Sequence, residues 1–203
     1  MILQDIYLKC ETGEIVGLLG RNGCGKSSLM KILFGSLRGE SQSVRLNDKY
    51  VSKLFEVDNA ISFMPQEGFA MDYLTFDHMA NIFCSSETKD KLLQIREVKR
   101  HQHTKFRALS TGVKKLIEVL TLLYSESEFI VLDEPFSFLS PVLTETVISH
   151  IRKQSQLKGI FLTDHMFQSV FEVCTRNYLL YNGSLRQITH KSQLEDFGYV
   201  LKK

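Results

Sequence analysis

Nine consecutive residues, GRNGCGKSS from Gly20 to Ser28, bring together glycines, a lysine and paired serines. Residues 14–19 ahead of them (EIVGLL) form an apolar run of strand length, and Leu29, Ile32 and Leu33 behind them keep helical spacing. Strand, glycine loop and helix in this order make a phosphate cradle: the glycines let the backbone curl so that successive amides face an anion. Lys26 then reaches the β and γ oxygens and the Ser27 hydroxyl enters the shell of a Mg²⁺ ion. The expected ligand is a nucleoside triphosphate with Mg²⁺, held by Gly20, Asn22, Gly23, Cys24, Gly25, Lys26, Ser27 and Ser28.

Two later strands also end in chemistry. Residues 129–132 (FIVL) run into Asp133, Glu134 and Pro135, and residues 159–163 (GIFLT) run into Asp164 and His165. Parallel strands deliver their C-terminal ends to one edge of a sheet, where α/β proteins place their ligands. There Asp133 is expected to hold Mg²⁺, Glu134 to polarise the attacking water as a general base, and His165 to contact the γ-phosphate.

The stretch ALSTGVKKLIEVL opens a helix whose apolar positions Val113, Leu116, Ile117, Leu120 and Leu123 mark a buried face. Ser110 at its mouth either caps the helix or, with Gly112, leaves room for an anion at the positive N-terminus; the residues alone allow both.

The elements that must position these groups read as an α/β chain. After the loop a helix runs to about Phe34, followed by a short strand pair near residues 43–46 and 60–64. Apolar residues between Phe69 and Phe83 precede one charged helix over roughly residues 89–100. A helix over 141–156, a strand over 177–181, an Asn182-Gly183 turn and a short terminal helix complete the order.

Composition excludes several classes. With 203 residues, 43% of them hydrophobic, the chain suffices for one domain with a sizeable core. A formal charge of +2 gives no reason to expect nucleic acid, and the basic residues from Arg96 to Arg107 read as a solvated helix face. Cys10, Cys24, Cys84 and Cys174 lack metal-site spacing and read as reduced thiols of a cytosolic protein. Neither a secretory leader nor a membrane-spanning run is expected.

Together these residues resemble the ATP-binding cassette (ABC) ATPases, the nucleotide-binding subunits of ABC transporters, along nearly the whole chain. GRNGCGKSS resembles Walker A, Gln66 in FMPQE the Q-loop glutamine, LSTGV at 109–113 the signature motif, FIVLDEP Walker B, and His165 the switch histidine. In phrasing, DEPFSFLSP and the region after GIFLTDH are most similar to lipopolysaccharide-export and branched-chain amino acid transporter ATPases. The resemblance implies a P-loop NTPase (RecA-like) core with a mostly parallel sheet, a small antiparallel β part and an inserted helical subdomain. Residues 1–67 and 110–203 would form the nucleotide-binding core and 68–109 the helical signature subdomain.

It further implies ATP and Mg²⁺ as ligands, with Lys26, Gln66, Glu134 and His165 catalytic and Ser27, Gln66 and Asp133 around the metal. A second ABC subunit would dock head to tail, as homo- or heterodimer, so that Ser110 and Gly112 complete the other subunit's site. An integral membrane permease would place the chain on the cytoplasmic face of the inner membrane, its coupling helix lying in a groove beside the helical subdomain.

Departures from the family pattern are Thr111 for a signature glycine, Val113 for Gln or Glu, and Ser140 for the D-loop aspartate. The strand and adenine-stacking aromatic expected ahead of Lys26 are not evident, Tyr7 lying too near the loop. Thr111, Val113 and Ser140 leave a weakly hydrolysing half of a heterodimer as one alternative, although Glu134 and His165 are retained. A soluble ABC protein without a permease is the other, although the tandem cassettes, coiled coils or basic extensions of such proteins are not seen.

Overall fold

The computed structural model describes residues 3–199. In chain order its elements are β1 (Ile15–Leu19), α1 (Lys26–Phe34), β2 (Arg45–Leu46), β3 (Lys49–Tyr50), β4 (Ile61–Met64), α2 (Phe76–Phe83), α3 (Ser86–Leu93), α4 (Arg96–Arg100) and α5 (Thr111–Leu123). There follow β5 (Phe129–Asp133), α6 (Pro141–Ser155), β6 (Gly159–Thr163), α7 (Phe167–Val173), β7 (Arg176–Tyr181), β8 (Ser184–Ile188) and α8 (Gln193–Asp196). Six strands form one sheet in the order β4-β5-β6-β1-β7-β8, parallel except for β8. The Asn182-Gly183 turn, with φ of 48° and 80°, supplies the left-handed pair that a two-residue hairpin between β7 and β8 needs.

Strands β1 and β6 are buried throughout, as parallel strands covered on both faces must be. Alternation sorts their side chains. Ile15, Leu19, Ile130, Leu132, Ile160 and Leu162 share one core with Ile117 and Leu120 of α5, Val147 and Ile151 of α6, and Val170 of α7. Val16, Val131 and Phe161 face the other way, onto Met30 of α1. At Gly17 a Cβ would lie 2.7 Å from Cys174 Sγ and Val170 Cγ1, so the missing side chain lets α7 settle directly on β1.

Two expectations are corrected. Residues 43–46 and 60–64 do not pair with each other: β2 pairs with β3 across Asn47 and Asp48, both at positive φ, while β4 joins the main sheet beside β5. A two-residue turn closes a hairpin locally, and β4 carries the apolar residues Ile61, Phe63 and Met64 that fit a covered sheet. Nor is there one helix over 89–100; it breaks between α3 and α4 at Ile95, whose backbone is extended. Leu92 and Val98 are both fully buried, and on a continuous helix six residues would set them on widely different faces. The break returns both to the core.

No strand is assigned among residues 3–14. Leu3, Ile6 and Leu8 pack beside Leu18, Leu29 and Leu180, and Tyr7 is 79% exposed. Among the described residues no helix is long and apolar enough to cross a membrane, and the four cysteines are unpaired. Arg96, Lys99, Arg100 and Arg107 are exposed, as a solvated face requires.

Candidate functional site

The loop from Gly20 to Ser28 leaves the C-terminal end of β1 and enters α1. Gly23 and Gly25 hold φ of 76° and 110°, where a side chain would be strained, and Gly25 caps α1. Lys26 folds back over the loop, its Nζ donating to the carbonyls of Gly20 at 2.8 Å and Arg21 at 3.2 Å. At Gly20 a Cβ would meet Cys24 Sγ at 2.6 Å, so the pair closes the base of the loop. Gly20 and Cys24 therefore support the cradle from beneath.

Asp133 is the last residue of β5 and is 2% exposed. Burial pushes its carboxyl above the usual range, while a hydrogen bond from Ser27 works against that shift. The register sets Asp133 opposite Thr163, and the Thr163 hydroxyl donates to Leu18 O at 2.7 Å, which ties the ends of β5, β6 and β1 together.

Glu134 follows at φ 54°, an uncommon conformation for a residue with a side chain, held by its amide donating to Thr163 O at 2.8 Å. Its Oε2 accepts from Gln66 Nε2 at 3.1 Å and from the Ser137 hydroxyl at 3.0 Å, with His165 Nδ1 at 3.6 Å. Gln66 stands two residues beyond β4, and β4 neighbours β5, so adjacent strand ends bring these two side chains together.

Asp164 is fully buried between the two loops. It accepts the amide of Phe136 through Oδ2 and that of Met166 through Oδ1, both at 2.9 Å, and its Oδ1 lies 3.5 Å from His165 Nδ1. Burial raises its carboxyl pKa, against the two backbone bonds. One carboxylate thus sets both the turn after Glu134 and the turn that carries His165.

An open cavity of about 470 Å³ is lined by Asn22, Gly23, Gly25 to Ser28, Gln66, Glu134 and His165. It holds the amides and ammonium of an anion site opposite a carboxylate and an imidazole, the parts needed to grip a polyphosphate and act on water beside it.

Ser110 and Gly112 are not in this lining. Ser110 is exposed at the N-terminus of α5, its hydroxyl accepting from Val113 N at 3.3 Å. Gly112 packs against the backbone of the loop after β5, where a Cβ would come within 2.7 Å of Phe138 O. Ser140 caps α6 by accepting from Leu143 N at 3.5 Å.

Sequence reasoning passed over Lys115 and Glu118. Both are buried on α5: Lys115 Nζ donates to Gln66 O at 2.7 Å, and Glu118 Oε1 accepts from the amides of Phe69 and Ala70, each at 2.7 Å. Three residues apart, they share one stripe of the helix, which polarity alone marks as the wet side. Ser137 and the buried role of Asp164 were equally hidden, since each depends on a loop partner distant in the sequence.

A family model described as ABC transporter matches residues 3–137. The lipopolysaccharide export system ATP-binding protein LptB of Escherichia coli (strain K12) is 27% identical over 210 residues, covering 96% of this chain and 86% of that protein. The ABC transporter ATP-binding protein YtrB of Bacillus subtilis (strain 168) is 25% identical over 201 residues, covering 96% of this chain and 69% of that protein. Among solved structures, an ATP-binding subunit of an ABC transporter superposes with a TM-score of 0.83 at 21% identity, over 100% of this chain and 89% of its own. A dimeric ATP-binding cassette in a post-hydrolysis state, bound to ADP and Pi, gives a TM-score of 0.77 at 19% identity over 92% and 90%.

Proposed function

This chain belongs to the ABC transporter family as an ATP-binding subunit, and from that premise we propose how its own residues divide the work of binding and hydrolysing ATP. The phosphates lie in the loop, with Asn22, Gly23, Gly25, Ser27, Ser28 and the Lys26 ammonium around them, on the positive end of α1. Ser27 lines the cavity and hydrogen-bonds Asp133, which is buried behind it, so the two supply the oxygen donors that a hard cation takes. They would hold Mg²⁺ with Gln66 beside them, and that ion, when bound, neutralises phosphate charge.

The observation that carries the reading is the setting of Glu134. Gln66 and Ser137 both bond Oε2, which leaves Oε1 to accept a proton from a water in line with the γ-phosphoryl group. His165, beside the same carboxylate, orients toward the oxygens that gain charge in the transition state. The water adds to phosphorus as the bond to the β-phosphate oxygen breaks, giving ADP and inorganic phosphate.

The exposed mouth of α5 is the part of the chain that a second subunit would use, Ser110 and Thr111 being exposed and Ser110 carrying only a local cap. Residues 1–67 and 110–203 would then act as the core and 68–109 as the helical subdomain. A second cavity of about 430 Å³ opens between the turn at 54–57, the end of α2 and the loop at 125–127, with Phe55, Ile82 and Phe83 in its wall. Its apolar anchors suit an amphipathic helix of a membrane permease, which would hold the subunit at the membrane.

Glu134→Gln tests the assignment. The variant keeps the hydrogen-bond geometry, loses the base, and is expected to accumulate an ATP-bound dimer with no turnover, read by light scattering and phosphate release. A variant that turns over at the parent rate, or that stays monomeric with ATP, refutes it.

A further inference from the structure

Helix α5 carries two buried charges that neither the cavity nor the sheet requires. Lys115 is 4% and Glu118 1% exposed. Burial pulls the Lys115 pKa down, and the carboxylates of Glu118, Glu134, Asp133 and Asp164 oppose that pull. Neither charge is satisfied by another side chain alone. The ammonium bonds the carbonyl of Gln66 at 2.7 Å, and the carboxylate bonds the amides of Phe69 and Ala70 at 2.7 Å.

Gly68 shows how close the approach is: at φ 85°, a Cβ there would lie 2.5 Å from Glu118 Oε1, so backbone lies flat on the carboxylate. Lys114 adds an exposed ion pair to Asp72 at 3.1 Å.

Apolar side chains of similar size would cover this segment but leave the Gln66 carbonyl and the Phe69 and Ala70 amides without partners, so the two charges satisfy these backbone groups as well as bury them. What a carboxylate and an ammonium add is registry: they fix which carbonyl and which amides sit on which turn of the helix. The segment so held begins at Gln66, which lines the cavity, and the helix that holds it begins at Ser110, which does not.

We propose that Lys115 and Glu118 are positioning residues that clamp the segment behind Gln66 to α5. When a γ-phosphate draws Gln66 in one cavity, the clamp moves the Ser110 mouth of the same helix toward the nucleotide of the opposing subunit. The inference rests on the roles given above to Gln66 and Ser110. Its physical content is that the two ends of one rigid piece respond together.

Hydrogen–deuterium exchange on the full chain tests it, with the non-hydrolysable analogue AMP-PNP as probe. In the parent, the analogue slows exchange at residues 66–70 and 110–114 together. In Lys115→Met, slowing at 66–70 remains and that at 110–114 is lost, kcat falls about tenfold and KM stays within about threefold. Lys115→Arg restores both readouts; Lys115→Gln replaces the Met variant if the latter does not fold. Equal slowing of both segments in Lys115→Met overturns the clamp, as does a loss of analogue affinity as large as the loss of kcat.

Without nucleotide, Glu118→Gln speeds exchange of the Phe69 and Ala70 amides about tenfold, and unchanged exchange there also overturns the clamp. A parent protein that fails to bind AMP-PNP refutes the reading of the cavity instead, and the nucleotide-free exchange still decides the clamp.

Discussion

The carbonyl oxygen of Phe138 occupies the space a side chain on Gly112 would need, 2.7 Å from an ideally placed Cβ. The start of α5 and the loop that follows Glu134 are therefore in backbone contact within one chain. Phe138 itself holds φ 67°, so the loop bends sharply where it meets the helix.

Gly112→Ala forces this contact apart. The nearest atom is backbone and cannot swing away, so a loss of about 1–3 kcal/mol is expected, of the size seen for overpacking. Urea denaturation reads the loss, and a midpoint equal to the parent's would show that the loop yields freely.

Lys26→Ala removes the ammonium from the cup of the loop. Charge-assisted bonds to phosphate are worth about 3 kcal/mol, so ATP affinity should fall roughly 100-fold. The fold keeps its thermal midpoint, because the side chain bonds only carbonyls of its own loop. Calorimetric titration with ATP measures the first and a melting curve the second.

Asp164→Asn replaces a carboxylate that accepts two amides with a group whose nitrogen cannot accept. About 2 kcal/mol of stability should go, and turnover should fall with it, since Glu134 and His165 both lie on the loops it holds. The native carboxyl is raised by burial, so its charge opposes folding above the ordinary carboxylate range, and stability drains as pH rises through the raised pKa. The Asn variant should lack that decline, visible as a smaller difference in urea midpoint between a pH near the ordinary carboxyl value of 3.8 and neutral pH.

His150 runs the other way. Its ring packs edge-on to Tyr124 with Nδ1 2.9 Å from the tyrosine hydroxyl, and burial holds its pKa below the usual 6.5. The unfolded chain takes up the proton first, so this contribution is present above pH 6.5 and lost as pH falls toward the depressed native value. His150→Gln keeps a partner for Tyr124 and should flatten the difference in urea midpoint between pH 7.5 and 5.5. An unchanged difference would place the titration elsewhere.

Much of the cavity was legible in the residues because its determinants are local. A glycine loop between a strand and a helix must curl wherever it occurs, and apolar runs ending at Asp133 and Asp164 lie at strand ends by their own length. Once those strands are parallel, the ends must share an edge. Gln66, by contrast, entered through family resemblance, and its contact with Glu134 follows from the neighbouring of β4 and β5.

What the amino-acid order determined alone was therefore the phosphate loop, the strands that frame it and the mouth of α5. What tertiary structure decided was pairing across distance: β2 with β3 rather than β4, Leu92 and Val98 brought to one core by a broken helix, and Lys115 and Glu118 turned inward. The reason is energetic. A charge reads as solvent-facing until a backbone carbonyl or amide is supplied to it, and here the partners come from residues 66–70, which no spacing within α5 reveals.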